Sequence, residues 1–187
     1  MDSEQTLSVL YVSSGTESSR DLPEVFRDAL NSIAELTVYT GGSYTDQELC
    51  SLLRQYDVYL VSRHSAPVPS AIADDPGRLR LIQAAVGSLK RYVPRSVLSV
   101  VPTCNWGDAP AQEIAEGTLM LLLATLADLH HHIMTKRRGY WKVDKEYHGG
   151  KLSSEDVGLY GFGFIGRRFA EMLHTFDPTG VIDEAFK

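Results

Sequence analysis

The stretch Asp156-Val157-Gly158-Leu159-Tyr160-Gly161-Phe162-Gly163-Phe164-Ile165-Gly166 sets three glycines at G-x-G-x-x-G spacing directly after a short apolar run. The residues that follow, Arg167 to His174, carry Phe169, Ala170, Met172 and Leu173 at helical spacing. Strand, glycine turn and helix in this order are what a dinucleotide-binding turn requires. Each glycine has its own expected task. Gly161 permits the tight turn, Gly163 lets the backbone approach a pyrophosphate, and Gly166 lets the helix pack closely on the strand. The diphosphate would rest on free N–H groups at a helix N-terminus, where the macrodipole favours negative charge. Glycines also mark ordinary turns, so the flanks carry this expectation more than the spacing does.

Working outward, composition narrows the class. The chain has 187 residues and a formal charge of -6, an acidic balance that argues against nucleic-acid binding. Cys50 and Cys104 form neither a disulfide framework nor a metal set, and point to a reducing, cytoplasmic setting. Met1 to Thr6 is polar and shows no signal peptide. The most apolar run, Thr118 to Leu129, is interrupted by Asp128 and is too short to span a bilayer, so no membrane partner is expected.

Upstream of the turn, strands are expected at Leu7–Val12, Ala34–Tyr39, Val58–Ser62, Leu79–Ala85 and Val97–Val101. Ser13 to Ser19 reads as a polar loop. A helix is expected over Leu22–Leu30, with Asp21 as N-cap and Leu22, Val25, Phe26, Ala29 and Leu30 as its apolar face. Thr45 and Glu48 form a capping-box pattern opening a second helix through Leu53. A short helix is expected around Ser70–Ala73. Alternating strands and helices imply an α/β fold with a parallel sheet. Ala109 to Leu129 reads as one long helix, apolar nearly all round and hence buried between two layers. The break at Pro102–Gly107 is the expected hinge.

Four segments, in order, resemble the D-isomer-specific 2-hydroxyacid dehydrogenases: Leu81-Ile82-Gln83-Ala84-Ala85-Val86-Gly87, Cys104-Asn105-Trp106-Gly107, Glu113-Ile114-Ala115-Glu116-Gly117-Thr118, and Gly139-Tyr140-Trp141 followed by Val157 to Gly166. The resemblance implies a flavodoxin-like first domain (1–103) that binds substrate and a partial Rossmann-type NAD(P)-binding domain (104–187). It implies hydride transfer between NAD or NADP and a small 2-hydroxy or 2-keto acid, and a homodimer in the full-length protein. Val86 and Gly87 would give N–H groups to the substrate carboxylate, although a plain strand-end turn fits them equally. Gly161, Gly163, Phe164, Ile165 and Gly166 would cradle the pyrophosphate. Phe164 departs from the basic residue common there, and Leu89 from an acidic one. Thr118 would approach the nicotinamide; the competing reading bonds its hydroxyl back to its own helix.

The family's catalytic arginine, carboxylate and histidine lie beyond the nucleotide turn, and no residue of this chain maps onto them. The catalytic residues are thus unknown. His130, His131 and His132 are adjacent, point in different directions on a helix and make a poor metal cluster. Asp183 or Glu184 falls near the place of the ribose-binding acid, roughly 20 residues past the turn. Gly180 to Ala185 also resembles a later family segment, which would imply a truncated or internally deleted cofactor domain. The alternative function is a catalytically inactive relative that binds a dinucleotide or a protein partner.

Overall fold

Val9, Leu10, Tyr11 and Val12 are all buried, as a strand covered on both faces of a parallel sheet must be. The computed structural model describes residues 6–13, 22–141, 149–178 and 180–184, the last of these as backbone. The chain divides into two compact units, Met1–Gly107 and Asp108–Lys187.

In the first unit, β1 (Leu7–Ser13), β2 (Ala34–Thr40), β3 (Val58–Val61), β4 (Leu81–Ala84) and β5 (Thr103–Cys104) form one sheet in the order β2-β1-β3-β4-β5. Every pairing is parallel. This is the flavodoxin-like strand order, with its switch point between β1 and β3. Helix α1 (Glu24–Asn31) starts at Pro23, and α2 (Asp46–Leu53) starts at the expected capping box: Thr45 accepts from the Glu48 N–H while Glu48 accepts from the Thr45 N–H. Leu49, Cys50 and Leu53 of α2 meet Leu10, Val12, Tyr59, Val61, Ile82 and Ala84 from the sheet. At the start of the strands the buried Asp57 carboxylate accepts from the Ser8 N–H (3.0 Å), the Ser8 hydroxyl (2.6 Å) and Arg78 (3.0 Å). Those bonds, the Ser8 hydroxyl foremost, hold its pKa below the usual carboxylate range.

Several expectations need correction. Val97–Val101 is not a strand. Arg95–Leu98 is a one-turn helix, α3, with Pro94 as N-cap, and the fifth strand is Thr103–Cys104. Proline pre-sets the helical start, and the Val97 and Leu98 N–H groups both donate to the Pro94 carbonyl. Val97 and Val101 are buried while Leu98 and Val100 are exposed, a four-residue period rather than alternation. The apolar face expected of α1 is also wrong in part, because Val25 and Phe26 are exposed. Asp21, its expected N-cap, and most of the Ser13–Ser19 loop lie outside the described residues.

In the second unit the long helix expected over Ala109–Leu129 is present but ends earlier, and a second helix follows it. Helix α4 (Ala111–Leu126) ends at Ala127, Asp128 takes a left-handed backbone (φ 43°), and α5 (Leu129–Arg137) follows. Nor is α4 buried between layers: only Ala111 and Ala115 are buried, and Met120 and Leu121 are each 64% exposed. Strand β6 (Asp156–Tyr160) leads to α6 (Phe164–His174), and β7 (Gly180–Glu184) pairs with β6 in parallel. Ala115, Leu152, Leu159, Phe169, Ala170 and Leu173 form this unit's core, joining α4, β6 and α6.

Candidate dinucleotide-binding turn and a strand-end amide cradle

The glycine turn joins a strand to a helix, and its three glycines do three different things. Gly161 has φ +97°, a conformation that side chains rarely adopt. Gly166 lies against the turn's backbone: a Cβ placed there would sit 2.4 Å from the Gly161 carbonyl oxygen. Gly163, the N-cap of α6, has ordinary dihedrals, and a Cβ on it would meet nothing within 4 Å. The protein leaves space on that side of the turn, as a cradle for a diphosphate needs.

No side chain caps α6. The first intrahelical donor is the Arg167 N–H, bonded to the Gly163 carbonyl at 3.0 Å, and the N–H groups of Phe164, Ile165 and Gly166 meet no acceptor among the described residues. The first turn contains no acidic residue. The Arg167 guanidinium lies over the Phe164 ring, 5.2 Å from its centroid, and Arg168 pairs with Glu171 at 2.8 Å. Cationic charge therefore stands one turn into the helix, although position 164 itself carries a phenyl ring. The parallel register sets Glu184 opposite Tyr160, the last residue before the turn, and Asp183 opposite Leu159. The segment containing Asp183 is thus the parallel strand beside β6.

Val86 and Gly87 lie in the first unit, just past the end of β4. Their N–H groups meet no acceptor among the described residues. The Gly87 carbonyl accepts from the Asn105 side-chain amide at 2.8 Å, and the Asn105 side-chain oxygen accepts from the Gly107 N–H at 3.1 Å. A Cβ on Gly87 would lie 3.3 Å from the Trp106 indole nitrogen. Sequence reasoning placed Asn105 and Trp106 in the expected hinge and missed their contact with the strand-end turn. The Asn-x-Gly spacing, which favours a side-chain-to-backbone turn, was the available signal.

Thr118 lies on α4, and its hydroxyl donates to the Ile114 carbonyl at 2.8 Å. The three adjacent histidines open α5. Among the described residues no group of three or more His, Cys, Asp or Glu is placed to hold a metal ion, and no helix is long and apolar enough to cross a membrane.

Residues 119–182 match the model of the D-isomer specific 2-hydroxyacid dehydrogenase NAD-binding domain, a span that includes β6, the glycine turn and α6. The nucleotide turn thus lies in a segment similar to the NAD-binding domain of the D-isomer-specific 2-hydroxyacid dehydrogenases.

Two proteins with curated names are similar to this chain. D-3-phosphoglycerate dehydrogenase of Methanocaldococcus jannaschii is 28% identical over 148 residues, 79% of this chain and 28% of that protein. Hydroxypyruvate reductase of Thermotoga maritima is 28% identical over 130 residues, 69% of this chain and 42% of that protein. Among solved structures, an acyclic imino acid reductase in complex with NADPH and D-Arg superposes with a TM-score of 0.71 at 19% identity, covering 95% of this chain and 56% of that one. That likeness shows the fold. The chain therefore spans between about a quarter and a little over half of the length of these three proteins.

Proposed function

We propose that this chain supplies the substrate domain and the first part of the cofactor domain of an NAD(P)-dependent oxidoreductase acting on a small 2-hydroxy or 2-keto acid. The unit Met1–Gly107 is the substrate domain and the unit Asp108–Lys187 belongs to the cofactor domain. The observation that carries this is the empty side of Gly163 beside the uncapped start of α6, within the segment that matches the NAD-binding domain. Gly161, Gly163, Phe164, Ile165 and Gly166 hold the pyrophosphate through backbone N–H groups, with the helix dipole behind them. Thr118 lies on the nicotinamide side. One acid near the end of β7, Asp183 or Glu184, takes the ribose hydroxyls and disfavours the extra phosphate of NADP. When bound, the cofactor supplies or accepts the hydride.

Val86 and Gly87 bind the substrate carboxylate through their free N–H groups, a charge-assisted contact stronger than a neutral one. The base that handles the hydroxyl proton is not assigned to any residue here. The exposed apolar side of α4 is the surface through which two copies pair in the full-length protein. Free thiols fit a cytoplasmic setting: Cys104 is exposed, and burial pushes the Cys50 thiol up and keeps it inert.

Titration with NADH and with NADPH, on this chain and on Gly163→Val, tests the proposal. The expected result is tighter binding of NADH than of NADPH, with both lost in the variant. Undiminished NADH binding by Gly163→Val would remove the nucleotide from this turn.

A further inference from the structure

We propose that Asn105 is a positioning residue for the substrate turn, pinning the Gly87 carbonyl so that Val86 and Gly87 present amides and no oxygen to an anion. The proposal rests on the reading that these two residues take the substrate carboxylate.

Either end of the turn is fixed. Before it, the Ala85 N–H donates to the Val61 carbonyl at 2.7 Å, which ties the strand end to β3. After it, the Leu89 carbonyl accepts from the Tyr92 and Val93 N–H groups, both at 2.9 Å. Between them, among the described residues, the arch 86–88 makes one hydrogen bond, from the Asn105 amide to the Gly87 carbonyl. Gly87 has no Cβ to restrict its backbone. Rotation of the Gly87–Ser88 peptide would swing a carbonyl oxygen, with its partial negative charge, toward the place an anion would occupy. The Asn105 bond opposes that rotation.

The residue type fits this task. The Gly107 N–H engages the Asn105 oxygen, so the NH₂ group is the part turned to Gly87, where a donor is required. Aspartate would keep the acceptor, lose the donor and add a negative charge beside an anion site. Serine can keep a weaker side-chain turn to Gly107 but is too short to reach Gly87 as well. The Trp106 indole closes one side of the arch, since a Cβ on Gly87 would sit 3.3 Å from its nitrogen.

The test uses oxalate as an unreactive dicarboxylate probe, with amide chemical shifts of ¹⁵N-labelled protein as the readout. Wild type, Asn105→Ala and Asn105→Ser are compared, with NADH binding and thermal melting measured on the same samples. Oxalate should shift the Val86 and Gly87 amides of wild type. In both variants its affinity should fall about fivefold, as loss of one hydrogen bond's worth of restraint gives, with NADH binding and melting unchanged. Wild-type affinity in either variant would overturn the proposal; in Asn105→Ser it would assign the whole effect to the Gly107 turn. Loss of NADH binding or of cooperative melting alongside would also overturn it, by making Asn105 a general structural residue. Failure of oxalate to shift the Val86 and Gly87 amides in wild type would instead defeat the underlying substrate-turn reading, before any variant is compared.

Discussion

Replacing Gly166 with alanine should damage the second unit more than any methyl group added elsewhere on the nucleotide turn. The new Cβ would lie 2.4 Å from the Gly161 carbonyl oxygen, a backbone atom that cannot rotate away. Ordinary contact needs roughly 3.4 Å or more, so α6 and the turn must separate by about 1 Å. Overpacking of this kind costs about 1–3 kcal/mol, and a rigid carbonyl puts the cost at the upper end. Alanine's helical advantage over glycine returns about 1 kcal/mol. The net loss is about 2 kcal/mol, or roughly 10 °C in melting temperature for a unit of this size. Gly163→Ala is the control: its φ is -81° and its Cβ meets nothing within 4 Å, so melting should be unchanged. Both variants should nevertheless bind NADH at least about tenfold more weakly, a loss of ~1.4 kcal/mol. Circular dichroism melts and NADH fluorescence titration read the two effects separately. If Gly166→Ala melts with wild type, α6 does not rest on the turn's carbonyl and the reasoning fails.

Two further outcomes follow from the same structure. Asp57 titrates below the usual carboxylate range in the folded chain, chiefly through the Ser8 hydroxyl and N–H and then Arg78. A lowered folded-state pKa means the unfolded chain binds the extra proton, so this stability is present above pH ~4 and is lost as pH falls through the folded value. Asp57→Asn should therefore cost about 2 kcal/mol at pH 7, and the gap in urea midpoint between variant and wild type should narrow steadily as pH falls below ~4; a gap that does not change with pH counts against the assignment. Separately, Met120 (64% exposed), Leu121 (64%), Leu129 (48%) and Ile133 (43%) leave apolar surface on α4 and α5. Size-exclusion chromatography should show self-association that Leu121→Asp weakens, and a sharp monomeric wild-type peak with cooperative melting would contradict this.

The parts of the fold that were legible in sequence are those encoded locally. The capping box at Thr45 and Glu48 involves residues three apart, and the glycine turn is complete within Asp156–Gly166. Val97–Val101 was misread because a short apolar run fits a strand or a helix equally until its neighbours are known. Pro94 settles it here, together with the burial of Val97 and Val101 on one side. The break at Asp128 was seen only as an interruption of hydrophobicity. Nothing in its type demands a left-handed backbone, although aspartate tolerates one better than most residues. The burial expected of α4 failed for a different reason: an apolar surface in sequence states a need for cover without naming what provides it. The two halves of the candidate site divide along the same line. At the nucleotide turn, glycines replace side chains, and their spacing is itself the signal. At the strand-end cradle, the arrangement depends on Asn105 reaching back 18 residues to Gly87. Such a contact is set by the sheet order that brings β5 beside β4, so it becomes visible only once the fold is known.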